Sequence, residues 1–259
     1  PPVAPCTSRL HRAGTVTLNL DNAVLRSSNL GGLRYGSAIP PTILLGGVGT
    51  MEDGTVLDLQ ITNDTRHAAF NENVDALTAK EGGSFGVVNL LAPQTEAELA
   101  TFVQLRFSFF SASSGAPVMV GRTHVSFYDF DTSQNGLREC MQARGGVIEE
   151  ALTADTQIER LQIDAAALAE EGPSALDSTV QQILSAQPAG TEVWDTGESG
   201  TSSVFCSTEE GNGQDNPADP RDLSDLQRAR SVMLAFDSVS SFDVRYSLAG
   251  STGTGRNFL

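Results

Sequence analysis

Four segments of this chain alternate apolar and polar residues with a period of two: Thr15-Val16-Thr17-Leu18-Asn19-Leu20, Leu57-Asp58-Leu59-Gln60-Ile61-Thr62, Val103-Gln104-Leu105-Arg106-Phe107-Ser108-Phe109 and Phe242-Asp243-Val244-Arg245-Tyr246-Ser247-Leu248. Successive side chains of a strand point to opposite faces, so each segment reads as a strand with one face in a core and the other in water. Residues 42–45, 118–130, 145–149, 157–163 and 231–237 read as further strands. Glu52-Asp53-Gly54, Ser113-Ser114-Gly115 and Asn135-Gly136 supply turns at hairpin spacing. The expectation is an all-β fold, an antiparallel β-sandwich of jelly-roll or immunoglobulin-like kind.

Short helices are expected as insertions between strands at about 164–185 and 221–230. Helix-forming residues run from Ala165 to Glu171 and stop at Gly172-Pro173, whereas residues 174–184 fit either a second helix or an edge strand. Thr95, with Glu98 three residues on, fits a capped helical turn. Ser238-Val239-Ser240-Ser241 reads as a tight hairpin between the last two strands. Gly46-Gly47-Val48-Gly49 and the glycine-rich run from Gly250 to Gly255 lack the lysine of a phosphate loop, and read as turns. No internal repeat or mid-chain linker divides the chain, so one domain is expected over 15–259, preceded by an extended arm at 1–14.

Sixteen basic residues against 32 acidic ones give a net charge of −16, which repels phosphate backbones and disfavours nucleic acid as a partner. No run approaches the roughly 20 apolar residues of a membrane span, so no membrane insertion is expected. A start at Pro1 without methionine suits a processed chain in an extracellular or cell-surface setting. Asn63-Asp64-Thr65 is an acceptor pattern for N-glycosylation at Asn63, placed where a strand turns out to solvent. The three cysteines have no zinc-site spacing. Cys140 with Cys206 is the disulfide candidate, because both follow strand-like runs, with Cys6 left over; three free thiols are the alternative.

The best local motif for chemistry runs from Phe127 to Glu139. Oxygens of Asp129, Asp131, Ser133 and Asn135, with Glu139 just beyond, are the hard ligands that Ca2+ takes. The match to an EF-hand loop is partial, since Gly136 and Glu139 fall at the eighth and eleventh positions; a hairpin with solvated or Arg138-paired acids is the other reading. Asp215, Asp219, Asp222 and Asp225 read as acids that keep a loop soluble. His11, His67 and His124 stand in no catalytic motif, and no enzyme activity is expected. Trp194, with Tyr35, Tyr128 or Tyr246, is a candidate sugar platform, though core packing is the simpler role for each ring.

Val125-Ser126-Phe127-Tyr128-Asp129-Phe130-Asp131, Asp219-Pro220-Arg221-Asp222-Leu223-Ser224, the pair of closing strands and Gly255-Arg256-Asn257-Phe258-Leu259 together resemble β-sandwich modules of large secreted surface and fibre proteins of aquatic bacteria and algae. That resemblance covers about residues 100–259 and implies a structural, adhesive or carbohydrate-associated role without catalytic residues. Residues 1–12 are polar and Pro-rich, an extended arm suited to adding a strand to the next subunit, so head-to-tail assembly of the chain with itself into a surface fibre is the expected function. A glycan-binding adhesive module, with or without Ca2+, is the alternative.

Overall fold

The computed structural model describes residues 16, 18–30, 42–63, 65, 76–77, 85–164, 170, 177–185, 201–211 and 215–258. The arm at 1–14, Trp194, Tyr35, His11, His67 and Cys6 lie outside the described residues. As the alternation predicts, the structure is an all-β antiparallel sandwich with short helices inserted between strands. One layer is an eight-stranded sheet ordered β1 (Val24–Ser28), β2 (Thr42–Thr50), β3 (Val56–Asn63), β6 (Ala100–Ser111), β13 (Ser241–Ala249), β8 (Arg138–Arg144), β11 (Thr201–Ser207) and β10 (Ile158–Asp164). The opposite layer consists of two three-stranded sheets. One is β7 (Thr123–Phe127), β12 (Val232–Phe236) and β9 (Val147–Ala151); the other is β14 (Gly255–Phe258), β5 (Gly86–Leu91) and β4 (Ala76–Leu77).

Phe242, Val244, Tyr246 and Leu248 of β13 point between the layers, and the register places Phe107, Leu105 and Val103 of β6 opposite the first three. Phe242 stacks on Phe107, its cross-strand partner, at 4.9 Å, and on Phe236 of the facing layer at 4.2 Å. Such ring pairs add to the burial that drives the two layers together. On the other face of β13, Asp243 pairs with Arg106 at 2.8 Å and Arg144 at 3.0 Å. Beyond them, helix α1 (Ser178–Ser185) lays Val180 and Ile183 over Ile163, Val204, Cys140 and Cys206. Residues 174–184, which fitted helix or edge strand, thus contribute a helix. Helix α2 (Asp225–Ala229) starts at Ser224, whose hydroxyl accepts from the Gln227 N–H while the Gln227 side chain accepts from the Ser224 N–H.

Several local expectations need correction. No strand forms over residues 15–20 among those described: Leu20–Asn22 is a 3-10 turn, and Val16, Leu18 and Leu20 bury without joining a ladder. The glycines at 46, 47 and 49 are not a turn but part of β2, where the register shifts in a bulge and the Gly47 N–H donates to Asp58 at 3.0 Å. The turn expected at Thr95 to Glu98 does form, closed by the Glu98 N–H donating to the Thr95 carbonyl at 3.0 Å. Residues 238–241 do not form a hairpin, because β12 and β13 belong to opposite layers and Val239 pairs with Val120. Gly145 and Gly146 likewise do not start a strand. With φ of 96° and 83° they turn the chain from β8 into β9, and a side chain at Gly145 would press on the Phe242 backbone.

Phe242→Ala removes the ring held by both layers, and we predict a loss of about 3–5 kcal/mol. Urea unfolding followed by circular dichroism measures it.

Candidate functional site

β7 ends at Phe127, and the next four residues divide between two environments. Tyr128 meets Phe85 edge-on at 5.3 Å and Phe130 packs against Phe258 at 6.4 Å. Asp129 and Asp131 bury their carboxyl groups at the end of the sandwich, where the chain kinks through φ 68° at Asp129, a conformation that Asp tolerates better than most residues. Glu139, at the start of β8, is buried beside them and accepts the Asp131 backbone N–H at 3.2 Å. Arg256 of β14 lies 3.4 Å from Asp131 Oδ1 and 3.5 Å from Glu139 Oε1. Arg230, itself buried, donates to Asp215 at 2.6 Å, to the Glu210 carbonyl at 2.6 Å and to Gln157 at 2.8 Å. Gly211 closes this cluster: a Cβ there would collide with the Asp131 side chain and the Arg230 guanidinium.

Burial dominates the electrostatics. It pushes the Asp129 carboxyl up to about 8, with further upward pressure from Asp131 and Asp215 that Arg230 and Arg256 only partly offset. Asp131 is raised chiefly by burial, against the pull of Arg256 and Arg230. Glu139 is held well above the usual carboxylate range by burial and then by Asp131. Asp129 therefore holds its proton inside the protein at neutral pH. Chemically the cluster is a set of enclosed acids and arginines that tie β7, β8, β14, residues 209–211 and Asp215 into one end of the sandwich.

Of the five oxygens read as Ca2+ ligands, the structure brings together Asp129, Asp131 and Glu139 and leaves Ser133 and Asn135 on the turn above. The Ser133 hydroxyl bonds to Asn135, the Asn135 amide donates to the Thr252 carbonyl at 2.6 Å, and Gly136 turns the hairpin. Among the described residues no group of three or more His, Cys, Asp or Glu is arranged to hold a metal ion. Arg256 supplies the positive charge beside Asp131 and Glu139. Its place in the site had no sequence signal, since it lies 117 positions from Glu139 on another strand. Of the acids at 215–225, Asp222 and Asp225 are exposed, hydrogen bonds from Arg221 hold the Asp219 carboxyl down to about 2, and Asp215 is drawn into the cluster by Arg230.

Cys140 and Cys206 stand opposite each other on β8 and β11 and are joined in a disulfide, buried beneath α1. Asn63 is half-buried at the end of β3; its amide donates to the Leu30 carbonyl at 3.3 Å and its oxygen accepts from the Thr65 N–H at 2.8 Å. His124 is exposed on β7.

Next to the charge cluster lies a cavity of about 510 Å³ between the layers. Leu45, Leu59, Ile61 and Phe107 of the eight-stranded sheet form its floor, and Val88, Phe127 and Phe258 face them. It reaches the surface, since the exposed residues Asn19, His124 and Arg221 also line it.

No protein-family model matches the chain, and no curated protein does. Among solved structures, the chain is similar to the adhesin domain of PrgB from Enterococcus faecalis bound to DNA, with a TM-score of 0.38 and 9% sequence identity over 83% of this chain. The similarity spans 64% of that chain.

In the unfolded chain Asp129 titrates near 3.9 and in the folded one near 8, so the folded state binds more protons between those values. The stability this group contributes is then fully present below about pH 4 and is lost as pH rises through about 8. We predict that Asp129→Asn, which keeps the backbone turn and removes the charge, flattens that slope and raises stability at pH 8 by of the order of a few kcal/mol. Thermal unfolding of both proteins from pH 5 to pH 8 checks it. Gly211→Ala is expected to cost about 1–3 kcal/mol by overpacking the cluster, measured by chemical denaturation.

Proposed function

We propose that this chain is a non-catalytic structural module of a secreted or cell-surface protein, and that it assembles head-to-tail with further copies of itself. The Cys140–Cys206 disulfide carries this reading. Disulfides form and persist in oxidising compartments, and this one joins neighbouring strands in the interior of the sheet, where it is part of the packing. The acid cluster supports a structural role: a catalytic carboxylate pair must face its substrate, whereas Asp129, Asp131 and Glu139 are enclosed and held against Arg230 and Arg256.

Assembly is supported by the edges of the large sheet. Among the described residues that sheet ends in β1 and β10. β10 presents Glu159 and Arg160, charges that blunt an edge, whereas β1 exposes Val24 and Leu25. An arm from a neighbouring copy adding beside β1 would extend the ladder by main-chain hydrogen bonds and cover those apolar side chains. Contact of this kind is heterologous and propagates into a filament unless the rotation closes.

Light scattering of residues 1–259 and of a form lacking residues 1–14 tests assembly. A concentration-dependent rise in mass that is lost in the shortened chain, or in Val24→Lys/Leu25→Lys, is the expected result. A full chain that stays monomeric at high concentration would rule it out. For the disulfide, whose cysteines are 66 positions apart, loop-closure entropy predicts that reduction lowers stability by about 4 kcal/mol at most. Denaturation with and without reductant measures that loss.

A further inference from the structure

We infer that the cavity between the layers is a binding site for one long-chain acyl molecule, with its head group at the mouth. Protein interiors are packed as densely as organic crystals, and voids much larger than a water molecule are few. A cavity of about 510 Å³ is beyond an ordinary packing defect and falls within the roughly 300–1,000 Å³ range of small-molecule sites. Its construction is also that of such a site. The walls are aliphatic and aromatic side chains from both layers, suited to an acyl chain, which offers no polar group along its length.

Polar groups gather where exposed residues line the cavity: the Asn19 amide, the His124 ring and the guanidinium of Arg221, which also donates to Asp219, carry N–H donors. An acceptor-bearing head such as a carboxylate meets that requirement. The cavity exists because the second layer is split. β7 is an edge of one three-stranded sheet and β5 belongs to the other, and the two approach where Tyr128 meets Phe85. A continuous second sheet would bring apolar side chains across this gap.

Titration of the full chain with cis-parinaric acid, followed by its fluorescence and by displacement with oleate, tests the proposal. Saturable binding at one molecule per chain is expected, with at least tenfold weaker binding in a variant whose cavity is filled. Leu59→Trp fills it from the floor. Gly86→Phe fills it from β5, where a Cβ meets no atom within 4 Å, and serves if the first variant does not fold. Near-ultraviolet circular dichroism establishes that each variant is folded. Absence of saturable binding to the wild-type chain overturns the inference, as does wild-type binding that persists undiminished in the folded filled variants. Assembly is read by mass and acyl binding by fluorescence, so either result leaves the other standing.

Discussion

β13 is paired with β6 along its whole length and with β8 from Asp243 to Ala249, so its two faces set what each side of the large sheet can do. Phe242, Val244, Tyr246 and Leu248 form the surface on which the opposite layer packs. Asp243 and Arg245 lie on the other face, where Asp243 is held by Arg106 and Arg144, and Arg245 lies over the Phe102 ring at 5.4 Å. A slip of one residue in this strand would exchange the two sets, putting charge between the layers and aromatic rings outside. That penalty makes the register of the central strand a condition for the rest of the sandwich.

The chain also crosses repeatedly between the layers. The chain leaves the large sheet after β3, β6, β8, β11 and β13 and returns at β6, β8, β10 and β13. Each crossing needs a sharp change of direction, as at Gly145-Gly146, or a segment that pairs outside the main ladders, as at Val239 with Val120. Crossings also gather distant residues at the ends of the sandwich. Asp131, Glu139, Asp215, Arg230 and Arg256 arrive at one end from four parts of the chain, and their mutual attraction offsets some of the desolvation that gathering them imposes.

Asp129 shows the limit of that offset, because its carboxyl stays protonated near neutrality despite two nearby arginines. The charge cluster and the apolar cavity share the segment 127–131, which supplies side chains to both. Phe127 and Tyr128 line the cavity, Phe130 rests on Phe258, and the two aspartates turn into the cluster. This short stretch therefore joins the acidic end of the sandwich to its interior.

Strand segments at 57–62, 103–109 and 242–248 were legible from alternation because that signal depends only on the residues themselves. The run at 15–20 alternates as well, yet among the described residues it forms no strand, only a backbone hydrogen bond from the Asn19 N–H to the Val48 carbonyl of β2 at 2.7 Å. Local spacing placed Asp129, Asp131 and Glu139 near one another but was silent on Arg256 and Arg230, which reach the same cluster from distant parts of the chain. Nor could it show the cavity, because Leu59, Ile61 and Phe107 have the same pattern whether they meet facing side chains or line a hollow. Alternation by itself determined that this is a two-layered β protein, and which residues face inward. Which strands pair, how the second layer splits and where charge is buried were decided by tertiary structure, because each depends on contacts between residues far apart in the chain.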